Sequence, residues 1–194
     1  MADNLMHAVQ YDSYGGGAVA LKHVEVPIPS PKKDEVLLKL EAASINPLDC
    51  KIQKGMLSPF FPRKFPFLPV SDVAGEVVGV GSEVKNFKEG DKVAAMLNIL
   101  PGGGLAEYAT ASETRTAKRP AQVSPAEAAA LPTAKFDGIP NRPANVLVTA
   151  ASGGVGHYTV QLAKLCNLHV TATCGARNLD LVKTLGADEV LDYR

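Results

Sequence analysis

The order of apolar and polar residues in the last third of the chain predicts strands and helices in alternation. Asn145–Thr149 is a short apolar run rich in β-branched residues, which is typical of a strand buried on both faces. A glycine turn separates this strand from residues 158–165, whose apolar positions have helical spacing. The alternation then predicts a strand at His169–Thr173, a helix at Leu179–Leu185 and a strand beginning at Glu189–Leu191. This β-α-β-α-β order indicates the first half of a Rossmann fold.

The first 131 residues have a different pattern, in which short alternating segments are separated by glycine and proline turns. This pattern predicts a β-rich domain, either a partly open β-barrel or a sandwich. The predicted strands are residues 5–11, 19–26, 35–45, the first part of 72–90, 91–97 and 105–111.

Two short helices interrupt these strands. Asn46–Gly55 has Asn46 in the N-cap position and Pro47 in its first turn. Ser124–Leu131 begins with Ser124 and has Glu127 three residues later, which is the spacing of a capping box. Pro132 is expected to end this second helix, because proline cannot continue it.

Four phenylalanines and four prolines make Met56–Pro69 a loop, since so many prolines exclude regular structure. The favoured interpretation is that the loop packs on itself over the β-rich domain. Two functional alternatives remain open: an apolar wall of a substrate pocket, or a membrane-docking patch in which Arg63 and Lys64 face lipid headgroups.

Composition, charge and cysteine spacing argue against several classes of protein. The chain has 194 residues, 46% of them hydrophobic, and a net charge of +0, so nothing indicates a nucleic-acid partner. Its three cysteines form no C-x-x-C pair, which excludes a structural zinc lobe and makes a disulfide framework unexpected. The amino-terminal residues lack the pattern of a secretory signal, and no apolar run approaches membrane-spanning length.

The glycine turn after the first predicted Rossmann strand has the chemistry of a phosphate site. Glycines let backbone N–H groups approach a dinucleotide pyrophosphate, and the following helix N-terminus adds a partial positive charge. The residues expected to hold this part of the cofactor are Ala151, Ser152, Gly153, Gly154, Val155 and Gly156. A glycine-rich turn in some other α/β protein is the alternative.

The residues after the second Rossmann strand favour NADPH over NADH. NAD-binding units place an acidic residue here, about 20 residues beyond the glycines, to bind the ribose hydroxyls. In this chain the position reads Cys174-Gly175-Ala176-Arg177, with no acidic residue before Asp180. A small residue at Gly175 and a cation at Arg177 suit a 2′-phosphate. The alternative for Arg177 is a solvated loop charge.

Several phrases occur together and in order: SINPLDCKIQKG, DVAGEVVGVGS, AAALP and VTAASGGVGHYTVQLAK. In this set the chain resembles the medium-chain dehydrogenase/reductase superfamily, in its zinc-free quinone oxidoreductase branch, and most of all the plant members of the chloroplast envelope. The resemblance implies a GroES-like β-barrel over residues 1–134 and a Rossmann domain over residues 144–194, with a boundary at Lys135–Pro143.

The resemblance also implies a reaction and its residues: hydride transfer from NADPH to a quinone or an α,β-unsaturated carbonyl. In the family, the residue matching Asn46 contacts the nicotinamide end of the cofactor, and Lys51 matches a lysine beside the nicotinamide ribose and substrate. Tyr193 and Arg194 match positions that line the adenosine phosphate. From residue type alone, Asn46 is also a good N-cap and Lys51 could be a solvated helix lysine.

The zinc-dependent branch has a cysteine where Asn46 stands and a histidine where Ser71 stands. Neither residue here is a suitable zinc ligand, so no metal is expected. A short-chain dehydrogenase is rejected, because none of the first four tyrosines is followed four residues later by a lysine.

The sequence departs from the family pattern in two places. Ala134 runs directly into KFDGIPNRP, where family members have a glycine-led helix, and the family continues beyond the third Rossmann strand. We therefore expect a fragment, a truncated splice product or a partial gene model. Such a chain would hold the adenosine half of NADPH but would turn over slowly or not at all. A non-catalytic nucleotide- or partner-binding module is the competing hypothesis.

The resemblance implies that the partner of this protein is a small-molecule substrate, either a quinone or an enone. It also implies a peripheral location at the chloroplast envelope, with the cytoplasm as the alternative. A homodimer is the oligomer considered for the full-length protein.

Overall fold

This computed structural model describes residues 4–60, 62–134 and 145–193. The chain divides into two units, residues 1–132 and residues 133–194. The predicted boundary segment Lys135–Pro143 lies outside the described residues. The two predicted domains, 1–134 and 144–194, therefore stay a prediction. Among the described residues, no helix has the length and apolar character needed to cross a membrane.

The first unit is built on antiparallel strands. A five-stranded sheet has the order β6-β3-β4-β5-β7, and β1 and β2 form a separate two-stranded sheet. The strands are β1 (Leu5–Gln10), β2 (Lys22–Pro27), β3 (Glu35–Ser44), β4 (Asp72–Val80), β5 (Lys92–Met96), β6 (Tyr108–Ser112) and β7 (Thr116–Lys118). The alternation predicted for residues 35–45 places Val36 and Leu38 in the core, where they pack with Val73, Val77 and Val93.

Two details of these strands differ from the prediction. Residues 17–20 form a 3₁₀ turn rather than the start of a strand, because Gly15, Gly16 and Gly17 all have positive φ angles that break an extended chain. Strand β7 lacks a sequence signal of its own, since it has three residues and follows a second 3₁₀ turn at Glu113–Arg115.

Both predicted helices of this unit are present and slightly shorter than expected. They are α1 (Pro47–Gln53) and α2 (Pro125–Ala129). The capping box of α2 is confirmed: the Ser124 N–H donates to Glu127 Oε2 over 2.9 Å, and the Glu127 N–H donates to Ser124 Oγ over 3.3 Å. Helix α1 begins at its predicted N-cap, where the Asp49 carboxylate accepts a 2.7 Å hydrogen bond from the Asn46 N–H.

The proline-rich loop packs on aromatic side chains of the first unit. Phe65 lies edge-on to Tyr14, with ring centroids 4.9 Å apart, and also contacts Tyr11. Arg63 is 9% exposed; its guanidinium stacks on Phe67 and its backbone N–H donates to the Tyr14 hydroxyl. The alternative in which Arg63 faces lipid headgroups is therefore excluded, because its side chain is buried and stacked on Phe67.

The large apolar and cationic residues of this loop that are exposed are Met56, Phe60 and Lys64, and we call these three residues the loop tip. Phe60 is 79% exposed and Met56 is 61% exposed. Lys64 is also exposed. The self-packing interpretation thus describes the base of the loop, while the tip keeps apolar and cationic groups in solvent.

The second unit contains the predicted β-α-β-α-β order. Its strands β8 (Asn145–Val148), β9 (His169–Cys174) and β10 (Glu189–Asp192) form a parallel sheet in the order β10-β9-β8. The helices are α3 (Gly154–Leu165) and α4 (Leu179–Thr184).

Strand β8 differs from its prediction in burial. Val148 is 5% exposed, whereas Leu147 is 62% exposed, so this strand is buried on one face in the described residues. The reason is that α3 and α4 both pack on the face formed by alternate residues such as Val148, Val170 and Val190. Right-handed crossovers place successive helices of such a unit on the same side of the sheet.

Candidate functional site

The turn between β8 and α3 brings helix and strand backbones into close contact. Ala150 has a left-handed φ of 51°, and its carbonyl oxygen accepts a 2.9 Å hydrogen bond from the Gly153 N–H. A Cβ atom on Gly156 would lie 2.4 Å from the Ala150 oxygen and 2.7 Å from the Ala151 Cα. Glycine is therefore required at position 156 for the first turn of α3 to approach the strand end.

The start of α3 is open to a ligand. Gly153 is the N-cap, and a Cβ atom on Gly154 would meet no atom within 4 Å. A depression of ≈ 380 Å³ lies beside this turn, lined by residues 147–150, by Gly153–Gly156 and by Thr159. The first N–H groups of a helix have no intrahelical partner and carry partial positive charge, so they suit an anion such as a pyrophosphate.

The carboxyl ends of the neighbouring strands meet this turn. Ser152 Oγ accepts a 3.1 Å hydrogen bond from Asn178 Nδ2, which ties the glycine turn to the short helical turn Ala176–Asn178 after β9. A Cβ atom on Gly175 would lie 3.3 Å from the Tyr193 hydroxyl. The structure therefore brings together Ser152, Gly175 and Tyr193, with Arg177 exposed in the same turn as Asn178. Arg194 lies outside the described residues.

Sequence reasoning missed Asn178 as part of this arrangement. Its only signal was a polar side chain directly before a predicted helix, where an N-cap role is the ordinary interpretation. In the structure its carboxamide reaches back to the glycine turn and donates a hydrogen bond to Ser152.

A second group of polar side chains surrounds Asn46 in the first unit. Asn46 Nδ2 donates to Asp72 Oδ2 over 3.0 Å and to the Ser44 carbonyl oxygen over 3.3 Å. Asp72 is fully buried, and burial together with the Asp72 charge raises the pKa of Asp49, against the lowering effect of the hydrogen bond from Asn46. Asn46 itself is half-buried, so one side of it is accessible.

Lys51 is exposed on α1, the helix whose N-cap is Asn46, and no hydrogen bond or ion pair joins the two side chains among the described residues. Asp72 and Asp49 were not among the predicted site residues, because an aspartate at a strand start or in a first helical turn usually has a structural role. Within residues 4–60, 62–134 and 145–193, no cluster of three or more histidine, cysteine or acidic residues could hold a metal ion.

A larger cavity of ≈ 690 Å³ lies elsewhere in the first unit, against β2 and β6. None of the predicted site residues lines it. Its walls combine cations such as Lys32 and Arg115 with the carboxylates of Asp34 and Glu35. The cavity therefore favours neither anionic nor cationic ligands.

Comparisons with known proteins identify relatives over the whole chain. The alcohol dehydrogenase GroES-like domain matches residues 32–121. A chloroplast envelope quinone oxidoreductase homolog of Arabidopsis thaliana is 65% identical; the match covers 100% of this chain and 63% of the relative. An NADPH-dependent alkenal/one oxidoreductase of the same plant is 38% identical over 97% of this chain and 52% of the relative. The quinone oxidoreductase of Coxiella burnetii has a similar structure, with a TM-score of 0.75, 33% identity, and coverage of 98% of this chain and 63% of that one.

The glycine turn leads to a prediction about stability. Gly156→Ala should lower the free energy of unfolding by about 1–3 kcal/mol, because the new methyl group would collide with backbone atoms that have no free space to move into. Gly154→Ala is the matched control: its methyl group meets open space, and alanine favours a helix more than glycine does. Urea unfolding followed by circular dichroism measures both variants, and equal losses of stability would contradict the close contact described above.

Proposed function

Because the chain belongs to the medium-chain dehydrogenase/reductase superfamily, as a relative of the chloroplast envelope quinone oxidoreductase homologues, we propose that it serves an NADPH-dependent oxidoreductase. The proposed reaction is hydride transfer to a quinone or to an α,β-unsaturated carbonyl, without zinc. The chain spans 63% of the length of the relative at 65% identity, so this activity is proposed for the protein to which these residues belong.

The observation that carries the proposal is the open helix start at the carboxyl end of a parallel strand. The pyrophosphate of NADPH fits there against the N–H groups of Gly154 and Val155, since the depression beside the turn has room for it and no side chain fills the space above Gly154. Ala151 and Ser152 shape the turn: Ala151 is buried, and its N–H donates to the Thr173 carbonyl oxygen over 2.8 Å.

The adenosine end of the cofactor is assigned to the turn after β9. Gly175 leaves space next to the Tyr193 ring, and the exposed Arg177 guanidinium is available to a 2′-phosphate. Tyr193 is 63% exposed, so its ring offers a flat surface at the end of β10. This set of groups supports NADPH over NADH.

Hydride transfer needs a held nicotinamide and a polarised acceptor oxygen more than a strong acid or base. When NADPH is bound, it supplies the hydride. We assign Asn46 to the nicotinamide end and Lys51 to the acceptor, where its ammonium group stabilises the negative charge that develops on the substrate oxygen. Support for quinone and enone acceptors comes from the relatives, which are named as a quinone oxidoreductase homolog and an alkenal/one oxidoreductase.

We also propose a chloroplast location with peripheral contact to the envelope, because relatives at 63–65% identity have chloroplastic or envelope names. The exposed tip of the proline-rich loop is the surface assigned to this contact. Phe60 and Met56 supply apolar area, and Lys64 supplies a cation for anionic headgroups.

Steady-state oxidation of NADPH with a simple quinone or enone tests the proposed reaction. Turnover that a zinc chelator leaves unchanged is the expected result for the protein. Binding of NADPH without turnover would instead support the second hypothesis, a nucleotide- or partner-binding module. No binding of NADPH by the chain would contradict the cofactor assignment.

Cofactor choice gives a sharper prediction. Arg177→Glu should weaken NADPH binding about tenfold or more and leave NADH binding nearly unchanged, because a charge-assisted contact contributes roughly 1.5–3 kcal/mol. Lys183→Glu makes the same charge change on the exposed side of α4 and is the control. Equal losses for NADPH and NADH would remove Arg177 from the 2′-phosphate site.

The membrane assignment predicts that Phe60→Ser reduces co-sedimentation with vesicles rich in anionic lipid, because burial of an aromatic side chain is lost. Substitution of Leu165, a 79% exposed apolar residue on α3 of the second unit, by serine should have little effect. If both variants bind vesicles as the wild type does, the loop tip is not the membrane contact.

A further inference from the structure

Asn46 lies where the pairing of β3 with β4 ends. Ser44 and Asp72 are directly opposite each other at this end of the ladder. The Asn46 carboxamide nitrogen bridges them, 3.0 Å from Asp72 Oδ2 and 3.3 Å from the Ser44 carbonyl oxygen. Asn46, the second residue beyond the end of β3, is thus bound back to the two residues that close the sheet.

These two contacts fix which way the carboxamide faces. A side-chain amide has two N–H donors on its nitrogen and acceptor lone pairs on its oxygen. A carboxylate and a backbone carbonyl can only accept, so the nitrogen must face them, and the flipped amide would place oxygen against oxygen. Both donors of Asn46 are therefore used by the protein.

The partners of Asn46 are themselves held in place. Asp72 is fully buried and begins a strand that is paired on both sides, with β3 and with β5. The backbone N–H of Asn46 donates to Asp49 Oδ2 over 2.7 Å, which fixes the start of α1. Two carboxylates thus hold one asparagine, one through its side chain and one through its backbone.

We propose that Asp72 is a positioning residue that turns the Asn46 amide nitrogen toward the sheet and presents the Asn46 carbonyl oxygen to the ligand. This inference rests on the proposed function, because it assumes that Asn46 meets the nicotinamide end of the cofactor. A carboxamide oxygen has two lone pairs, so it can face the first turn of α1 and still accept a hydrogen bond from a ligand.

The consequence for the reaction is a division of roles. Asn46 recognises a hydrogen-bond donor, such as the amide of the nicotinamide or a hydroxyl of its ribose. It cannot polarise the oxygen of a quinone or enone, because that oxygen needs a donor and both donors of Asn46 are occupied. Stabilisation of the substrate oxygen then falls to another donor, and Lys51 is the proposed one.

The first test observes the side chain directly and needs no turnover. In ¹⁵N NMR spectra of the chain, the Asn46 side-chain amide protons should be well separated and protected from exchange. In Asp72→Ala, the chemical shifts of the two Asn46 amide protons should move toward those of a free amide. In Asp72→Asn, the two resonances should stay separated, because the new carboxamide oxygen can still accept a hydrogen bond. Asp12→Ala, which removes an exposed carboxylate of the same unit, is the control.

Free-amide behaviour of Asn46 in the wild type would overturn the proposal without any variant. Persistence of the protected pair in Asp72→Ala would also overturn it. The wild-type spectrum and Asp72→Asn keep the test decisive if Asp72→Ala does not fold.

The second test compares NADPH with adenosine 2′,5′-bisphosphate, which lacks the nicotinamide. Asp72→Ala should weaken NADPH binding about two- to tenfold, the range expected for one lost hydrogen bond, and leave the bisphosphate unaffected. In an Asn46→Ala background, Asp72→Ala should cause no further loss, because a positioning residue acts through the group it positions. An equal loss for both ligands, or a full additional loss in the double variant, would show that Asp72 does not act through Asn46.

Failure of the proposed function is distinguishable from failure of this inference. If the wild type binds NADPH no more tightly than the bisphosphate, or Asn46→Ala leaves NADPH binding unchanged, the assignment of Asn46 to the nicotinamide fails. The NMR result then still decides whether Asp72 orients the Asn46 carboxamide.

Discussion

Backbone polar groups must find partners where a strand or a helix ends, and both candidate sites arise from that constraint. At the end of the β3–β4 ladder, the Asn46 carboxamide satisfies the Ser44 carbonyl oxygen and the buried Asp72 carboxylate. At the start of α3, no side chain caps the first N–H groups, and they remain available to an anion. The strand end is closed by a side chain, whereas the start of the helix has no side-chain cap. The two sites therefore differ in their chemistry.

The glycines of the α3 turn belong to one sequence motif, but they have two different roles. Gly156 is required by packing, since a Cβ atom at this position would collide with the backbone of Ala150 and Ala151. Gly154 has open space beside it and is required, if at all, by what binds there. Ala151 belongs with Gly156 in this respect, because it is fully buried and cannot touch a ligand through its side chain. The motif therefore combines a packing requirement at one glycine with a proposed phosphate site at another.

Sequence patterns were sufficient wherever one local rule decided the structure. The capping box of Ser124 and the strand–turn–helix order around Gly153 are examples, since a few adjacent residues determine each. They were insufficient where partners come from distant residues: Asp72 is 26 positions from Asn46, and Asn178 is 26 positions from Ser152. The exposure of Leu147 was also misjudged, because the number of helices on a face of the sheet is a property of the folded chain. The contact of Arg63 with Phe67 has no sequence signal for the same reason.

The covered position of Arg63 has a consequence for how the proline-rich loop responds to salt. Dissolved ions screen charges in solvent over about 8–10 Å at physiological ionic strength, but they hardly reach a buried guanidinium. Arg63, stacked on Phe67, should therefore keep the base of the loop in place in concentrated salt, while the exposed Lys64 next to it loses its electrostatic reach. Two cations that are adjacent in the sequence thus lie in different dielectric environments: Arg63 is shielded from dissolved ions by the protein, and Lys64 is exposed to them.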